Sequence, residues 1–378
     1  MILGIDASNI RDGGGVTHLY ELLRSAEPAA FGVDRVVLWA SRSLLDRIED
    51  RGWLLKQPDP SLEGALAARM FWQRFRLAGL AARRGCDLLF VPGGSDASGF
   101  RPLVSMSQNL LPFEWREFRR YGLSKLTLKY GLLRWTQART FRRAEAVIFL
   151  SGYAREAVLR VTGDLPGATP VIPHGIDPRF FRSPRPPRTG FTEDAPCRVL
   201  YVSKIDVYKH PWHVVEAVAR LREAGLAVVL ELIGPPDHGS GRLAAALRRH
   251  DPAGRFVTCR GEVPYETLQE EYAKADIGVF ASSCETFGQI LTEAMSAGLP
   301  IACSNRSAMP EILGDAGLYF DPESPAEIAQ ALRTLIEHPE LREAKARAAH
   351  ARAQSYSWAR CAEETFSLLA RIAKSNSA

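Results

Sequence analysis

Residues 282–300 read SSCETFGQILTEAMSAGLP, and they sit between two short apolar runs, DIGVFAS (276–282) and PIACS (300–304). Thr286-Phe287-Gly288-Gln289 has the form of a capping box, with Thr286 as N-cap and Gln289 at the third helical position. Gly298 and Pro300 supply the stop, a glycine past the end and a proline beyond it. Strand, helix, strand is the unit from which a parallel sheet is wound. The predicted helix start also has a chemistry. Amides of Phe287 and Gly288 would point outward at the positive end of the helix dipole, which suits phosphate or sugar oxygens. Gly288, having no side chain, lets a ligand approach the backbone. Glu285 stands just before this helix and Glu293 in its body. Eight residues of helix rise ~12 Å, too far for an acid/base pair on one bond. Either these are ordinary solvated helix charges, or they hold two parts of one extended polar ligand.

Working outward, the same alternation recurs. Runs in the first half are MILGID, RVVLWA, DLLFVPGG, PLVSMS and AVIFLS; in the second, RVLYVS, VVLELIG, RFVTCRG, DIGVFAS, PIACS and GLYF. Continuous rather than alternating apolar runs suit parallel strands buried on both faces, with helices between them. FRSPRPPRTGFTEDAPC (181–197), with four prolines and no apolar period, reads as a linker. A chain of 378 residues also exceeds one ordinary core. The expectation is an α/β protein of two doubly wound domains: 1–182, a linker 183–196, and 197–355, followed by a final helix over 356–378. Ligands of such sheets bind beyond the carboxyl ends of the strands, so a site is expected in a cleft between the domains.

Charge is divided unevenly. The chain carries a net +5, but residues 1–190 hold +10 and residues 191–378 hold −5, so the halves are suited to different partners. Six scattered cysteines without a C-x-x-C pair argue for reduced thiols in a cytoplasm rather than a zinc site or a disulfide framework. The beginning MILGIDASNI has neither a basic n-region nor a long apolar core, so no signal peptide is expected. No run nears the ~20 apolar residues of a membrane span.

ETFGQILTEAMSAGLPI, with two glutamates flanking seven residues, resembles the signature of the retaining glycosyltransferase family 4 (glycosyltransferase group 1). That family has the GT-B fold, two Rossmann-like domains facing a central cleft. Thr286 stands where the family usually has glycine. YVSKIDVYKHPWHVVEAV (201–218) is similar to the segment carrying two cations that grip the donor diphosphate. Lys209 falls on the family's lysine, and Lys204 falls where arginine is commoner, a point charge in place of a fork. CRGEVPYETLQEEYAKADIGVFASS (259–283) resembles the stretch whose backbone at Glu262 and Val263 receives the base. DASNIRDGGGVTHLYELL (6–23) resembles the glycine-rich first loop that approaches the donor phosphates, here through Gly14 and Gly15. VIPHGIDPRFF (171–181) resembles the lead into the linker, and YSWARCAEETFSLLARIA (356–373) the helix crossing back to the N-terminal domain. The resemblance implies that Glu285 holds donor-sugar hydroxyls and Glu293 the ribose. Lys204, Lys209 and Glu285 are the catalytic candidates; Ser203, Phe287, Gly288 and Gln289 join the nucleotide-sugar set.

Two departures matter. In VSMSQNLLPFEW (104–115), Asn109 occupies the position where many members carry a histidine near the reacting sugar. Asn cannot take a proton at neutral pH, so no general base is expected from this loop; a local capping role for Gln108 and Asn109 is the other reading. No D-x-D triplet and no metal-ligand spacing is present, so no metal and no cofactor is expected. Finally, residues 113–143 hold nine Lys/Arg against two Glu, interleaved with aromatic and aliphatic residues. Leu126, Tyr130, Leu133 and Gln137 fall along one helical side. That composition suits either a helix covering the N-terminal sheet or one lying on an anionic membrane surface; nucleic acid is not expected, since no recognition motif accompanies the charge. The reading is a cytoplasmic transferase, peripheral on the membrane, moving sugar from a nucleoside-diphosphate sugar (GDP-mannose or a UDP-sugar) to a lipid-linked saccharide acceptor. A soluble acceptor, another GT-B-like enzyme such as an epimerase or hydrolase, and a non-catalytic sugar-nucleotide-binding subunit are the alternatives.

Overall fold

The computed structural model describes residues 1–11 and 13–377, so Ala378 at the end of the expected last helix lies outside the described residues. Two compact units emerge: Met1–Phe118, Gly122–Gly175 and Ser357–Ala378 form the first, and Arg119–Tyr121 with Ile176–Tyr356 the second.

The first unit is built on six parallel strands, β1 (Ile2–Asp6), β2 (Arg35–Ala40), β3 (Leu54–Pro58), β4 (Leu88–Val91), β5 (Leu103–Ser107) and β6 (Ala146–Phe149), in the order β3-β2-β1-β4-β5-β6. Strands β4, β5 and β6 are buried along their whole length, which is what their unbroken apolar runs require. Five runs were legible here, but there are six strands. The sixth, β3, is the edge strand LLKQP, whose lysine, glutamine and proline carry no strand signal. Helix α1 (Gly13–Arg24) follows β1, α2 (Leu66–Trp72) lies between β3 and β4, and α3 (Lys125–Phe141) between β5 and β6. The last helix, α6 (Trp358–Ser377), packs on α1 and β4. Gly175 is needed for that return, because a Cβ there would meet Trp358 N at 2.1 Å.

The second unit repeats the plan with β7 (Cys197–Val202), β8 (Val228–Ile233), β9 (Val257–Gly261), β10 (Ile277–Phe280), β11 (Ile301–Ser304) and β12 (Gly317–Phe320), ordered β12-β11-β10-β7-β8-β9 and all parallel. Helix α4 (Pro211–Glu223) follows β7, and α5 (Gln289–Ser296) joins β10 to β11. Residues 176–182 group with this unit because Phe180 is fully buried against Tyr265 and Tyr272, and Arg182 N donates to Ser296 O at 3.0 Å. In both sheets the strand order reverses beside the first strand of the unit, between β1 and β4 and between β7 and β10. These are the switch points at which doubly wound sheets take ligands.

Candidate active site

The switch point of the second sheet brings together Lys209, carried on the loop after β7, and Glu285, on the loop after β10. Their side chains form an ion pair, with exposures of 10% and 17%. Each is held from behind. Tyr201 donates its hydroxyl to Lys209 O at 2.6 Å, and the Lys209 ammonium lies over the rings of Tyr208 and Phe280. Glu285 N donates to Ser307 Oγ, and Ser307 Oγ donates back to Glu285 O, both at 2.8 Å. The two loops are stitched by Ser283, whose amide donates to Tyr208 O at 2.8 Å and whose hydroxyl meets His210 Nε2 at 2.9 Å. Burial drives His210 down to about 3, so it is neutral. The result is a mostly buried cation whose neighbour is one carboxylate, at the switch point of the second sheet.

Lys204 is elsewhere engaged. Its Nζ lies 2.9 Å from Asp237 and 3.5 Å from Asp206, with the side chain 46% exposed. Asp206 is buried and also accepts from Val207 N and from the Tyr121 hydroxyl. Gly234 permits the approach of the β7 and β8 loops, since a Cβ there would meet the carbonyl of Ser203 at 2.1 Å. Ser203 itself is buried, its hydroxyl donating to Lys204 O.

Glu293 is not a surface charge. It is 1% exposed, and both its oxygens accept, from Tyr265 at 2.9 Å and Tyr272 at 3.2 Å. Burial pushes its carboxyl up to about 8, against the pull of those two hydroxyls and of Arg179. Arg179 lies 4.4 Å from the centre of the Tyr265 ring. Glu285 and Glu293 therefore sit in separate surroundings, one beside an ammonium and one beside two phenols.

The helix start differs from its sequence reading. Gly288 is the N-cap, at φ 86°, and the helix begins at Gln289 rather than at Phe287. A left-handed residue cannot lie inside the helix, which moves the start past the expected capping box. The first intrahelical bond runs from Thr292 N to Gly288 O, so the amides at the positive end belong to Gln289–Leu291 rather than to Phe287 and Gly288. Gly288 is also not open to a ligand on its Cβ side, where Met309 Cε would lie at 2.7 Å. Phe287 is buried against Tyr356. Glu262 is exposed and Val263 half-buried, after β9.

In the first unit, Gly14 and Gly15 form the first turn of α1 instead of a loop ahead of it. Asn109 is half-buried and accepts from Leu111 N at 3.1 Å, a local cap. Ser307, Tyr201, Tyr265 and Tyr272 escaped the sequence reading. Ser307, Tyr265 and Tyr272 act through contacts 21 to 28 positions apart in the chain, and no local pattern marks them.

Solved structures share this architecture across the whole chain. Sucrose-phosphate synthase from Thermosynechococcus elongatus superposes with a TM-score of 0.80 at 19% identity, covering 99% of this chain and 100% of that one. The Anabaena protein HepE in complex with UDP-glucose gives 0.71 at 19% identity, covering 100% and 99%. WaaG, a glycosyltransferase involved in lipopolysaccharide biosynthesis, gives 0.70 at 16%, covering 98% and 99%. Two parallel doubly wound sheets of this kind are the GT-B fold. Residues 12–180 match the model of Glycosyltransferase Family 4, and residues 196–338 that of Glycosyl transferases group 1. The chain belongs to this glycosyltransferase family. Among its relatives, a GDP-mannose-dependent α-(1-6)-phosphatidylinositol dimannoside mannosyltransferase of Mycobacterium tuberculosis is 30% identical over 63% of this chain. O-antigen chain mannosyltransferase B of Escherichia coli is 37% identical over 29%. The matches span 61% and 29% of those relatives' own lengths, less than two thirds in each case.

Proposed function

We propose that this protein is a retaining glycosyltransferase that moves a sugar from a nucleoside-diphosphate sugar to a hydroxyl of a lipid-linked saccharide. The observation that carries the reading is the Lys209–Glu285 pair at the β7/β10 switch point. In the free protein each charge compensates the other. A donor diphosphate would take over the ammonium, releasing Glu285 to accept from hydroxyls of the transferred sugar. Negative charge grows on the departing diphosphate in the transition state, and a held, largely desolvated ammonium meets it without reorganisation. Lys204, tied to two carboxylates, is the weaker candidate for that role. Lys209 and the positive end of α5 are the groups assigned to meet that charge. Asn109 cannot serve as a base, so the acceptor proton goes to the leaving diphosphate. The name of the Mycobacterium tuberculosis relative favours GDP-mannose over a UDP-sugar as the donor.

Two measurements test this. Transfer or donor hydrolysis with GDP-mannose and UDP-glucose should persist in EDTA, and loss of nearly all turnover on chelation would refute a metal-free site. Lys209→Ala should lower kcat by ~10²-fold or more, the usual cost of removing one transition-state donor. An unchanged kcat with only a raised KM would make Lys209 a ground-state anchor.

A further inference from the structure

Near the carboxyl end of β1 lie two arginines, and one of them has a buried donor without a partner among the described residues. Arg11 lies just past the strand and donates from Nη2 to Leu62 O. Arg69, half-buried on α2, shares Nη1 between Ser8 O at 3.3 Å and Asn9 Oδ1 at 3.4 Å, both long bonds. Its Nε is buried and has no hydrogen-bond partner among the described residues. No ion pair joins either arginine to a carboxylate of the described residues; the charges that act on Arg69 come from its own burial and from Arg11, and both depress it. Two like charges, one partly desolvated, are held together at a cost that no carboxylate of the described residues offsets.

The surroundings are those of the first unit's switch point. Gly93, after β4, lies against Asn9, with its Cβ position 3.7 Å from the Asn9 Cβ. Gly15 lies against Gln108, 3.8 Å from its Oε1, while the Cβ positions of Gly13 and Gly14 face open space. Helix α1 begins here at Gly13, and its positive end adds to the two guanidinium groups. Among the described residues this corner has no multivalent oxygen acceptor for the two guanidinium groups. A phosphate fits best, because its oxygens take paired N–H donors from a planar guanidinium and its charge compensates two arginines at once.

We propose that Arg11 and Arg69 seat a phosphate group carried by the acceptor, so that the acceptor is a phosphorylated saccharide or a phosphate-linked lipid saccharide. This rests on the transferase reading proposed above, with the first unit taken as the side that receives the acceptor. The site is distinct in its residues from Lys209 and Glu285, and the test exploits that.

Calorimetry with inorganic phosphate and with glucose 6-phosphate, against glucose as the neutral control, is run on wild type, Lys209→Ala, Arg69→Gln, Arg11→Gln and Arg69→Lys. Wild type and Lys209→Ala should both bind the two phosphates, with glucose giving no saturable heat. Arg69→Gln should weaken phosphate binding by about tenfold or more, equivalent to about 1.4 kcal/mol. Arg69→Lys, which keeps the charge and loses the fork, should fall between. Circular dichroism melts separate a failure to fold from a lost site, and Arg11→Gln, an exposed position, covers the case in which the Arg69 variants do not fold. The proposal is overturned if phosphate binding is absent from wild type, if it is lost in Lys209→Ala but kept in Arg69→Gln, or if GDP and UDP affinities fall in step with it in the arginine variants. The last result would assign these arginines to the donor. Absence of any nucleotide-sugar turnover would instead count against the transferase reading and leave phosphate binding standing.

Discussion

Lys209 and Glu285 show how a pair of residues 76 positions apart becomes one device. Neither carries a local signal of the other; the family pattern marks each alone, and the parallel order of β7 beside β10 brings them into contact. Glu293 was equally visible, yet its surroundings were not, because its partners Tyr265 and Tyr272 come from a separate segment of chain. Those hydroxyls give a prediction. If Glu293 is to accept from a ribose, the bond from Tyr265 competes with it. Tyr265→Phe removes a bond worth about 0.5–1.5 kcal/mol from the free protein and leaves a buried oxygen with one donor fewer. We expect the variant to bind GDP or UDP about 3–10-fold more tightly while its melting point falls. Calorimetry beside a melt decides it; weaker binding would mean that the Tyr265 hydroxyl positions Glu293 for the ligand.

Helix α3 was read from sequence with Leu126, Tyr130, Leu133 and Gln137 on one side. Tyr130 and Gln137 are buried and the two leucines half-buried, so this is the inward side of the helix. The helix is shorter than the basic stretch, since Arg119–Tyr121 leaves it to join the second unit through Arg120–Glu323 and Tyr121–Asp206. What the periodicity did not resolve is the opposite face. Leu128, Leu132 and Trp135 stand 77%, 52% and 60% exposed, one turn apart along α3, interleaved with Lys125, Lys129 and Arg139. Beside them is an open groove of ≈ 580 Å³ lined by Leu123, Leu128 and Leu132. On α2 and the π-helical stretch that continues it, Phe71 and Phe75 are also exposed, 63% and 66%. Gln73 donates to Ser95 O, and Ser95 meets Thr136, so a single loop links the two helices. No helix of the described residues is long and apolar enough to cross a membrane, but apolar tips beside basic side chains suit insertion at its surface. Flotation with anionic liposomes should therefore be salt-sensitive, and Leu128→Ser with Trp135→Ser should abolish it without lowering turnover on a soluble acceptor. Retention of binding by that double variant would place the contact elsewhere.

Across the molecule, the two sheets repeat one plan, and this much was legible because parallel strands buried on both faces must be continuous apolar runs. Buried ionisable groups were not legible, since burial is decided by packing. They set how stability follows pH. His18, in the first unit, is fully buried against His174 and Trp358, and burial lowers it to about 4; His210, in the second, falls to about 3. Unfolded, each titrates near 6.5. Between those values the unfolded chain binds two protons that the folded one does not, so stability is full above about 6.5 and is lost as pH falls. Glu293 acts in the opposite sense. Its folded value near 8 lies above the ordinary carboxyl range, so the folded state holds an extra proton and loses stability as pH rises from about 4.5 to 8. Asp237, Asp251 and Asp321 are held low by hydrogen bonds that outweigh burial, and they act below this window. Burial also lowers His213, which adds to the acid limb, and raises Asp6, which acts in the sense of Glu293, so the melting point should peak near pH 6.5 and fall on either side. His18 alone accounts for about 3 kcal/mol between its two values, at about 1.4 kcal/mol per pH unit. Melts from pH 5 to 8 on wild type, His210→Asn and Glu293→Gln check each limb. Asn tolerates the left-handed backbone at φ 50° that His210 adopts, so that substitution removes the titration with little added strain. His210→Asn should flatten the acid limb and Glu293→Gln the alkaline one; a wild-type profile level from pH 5 to 8 would mean that these groups are not buried as described.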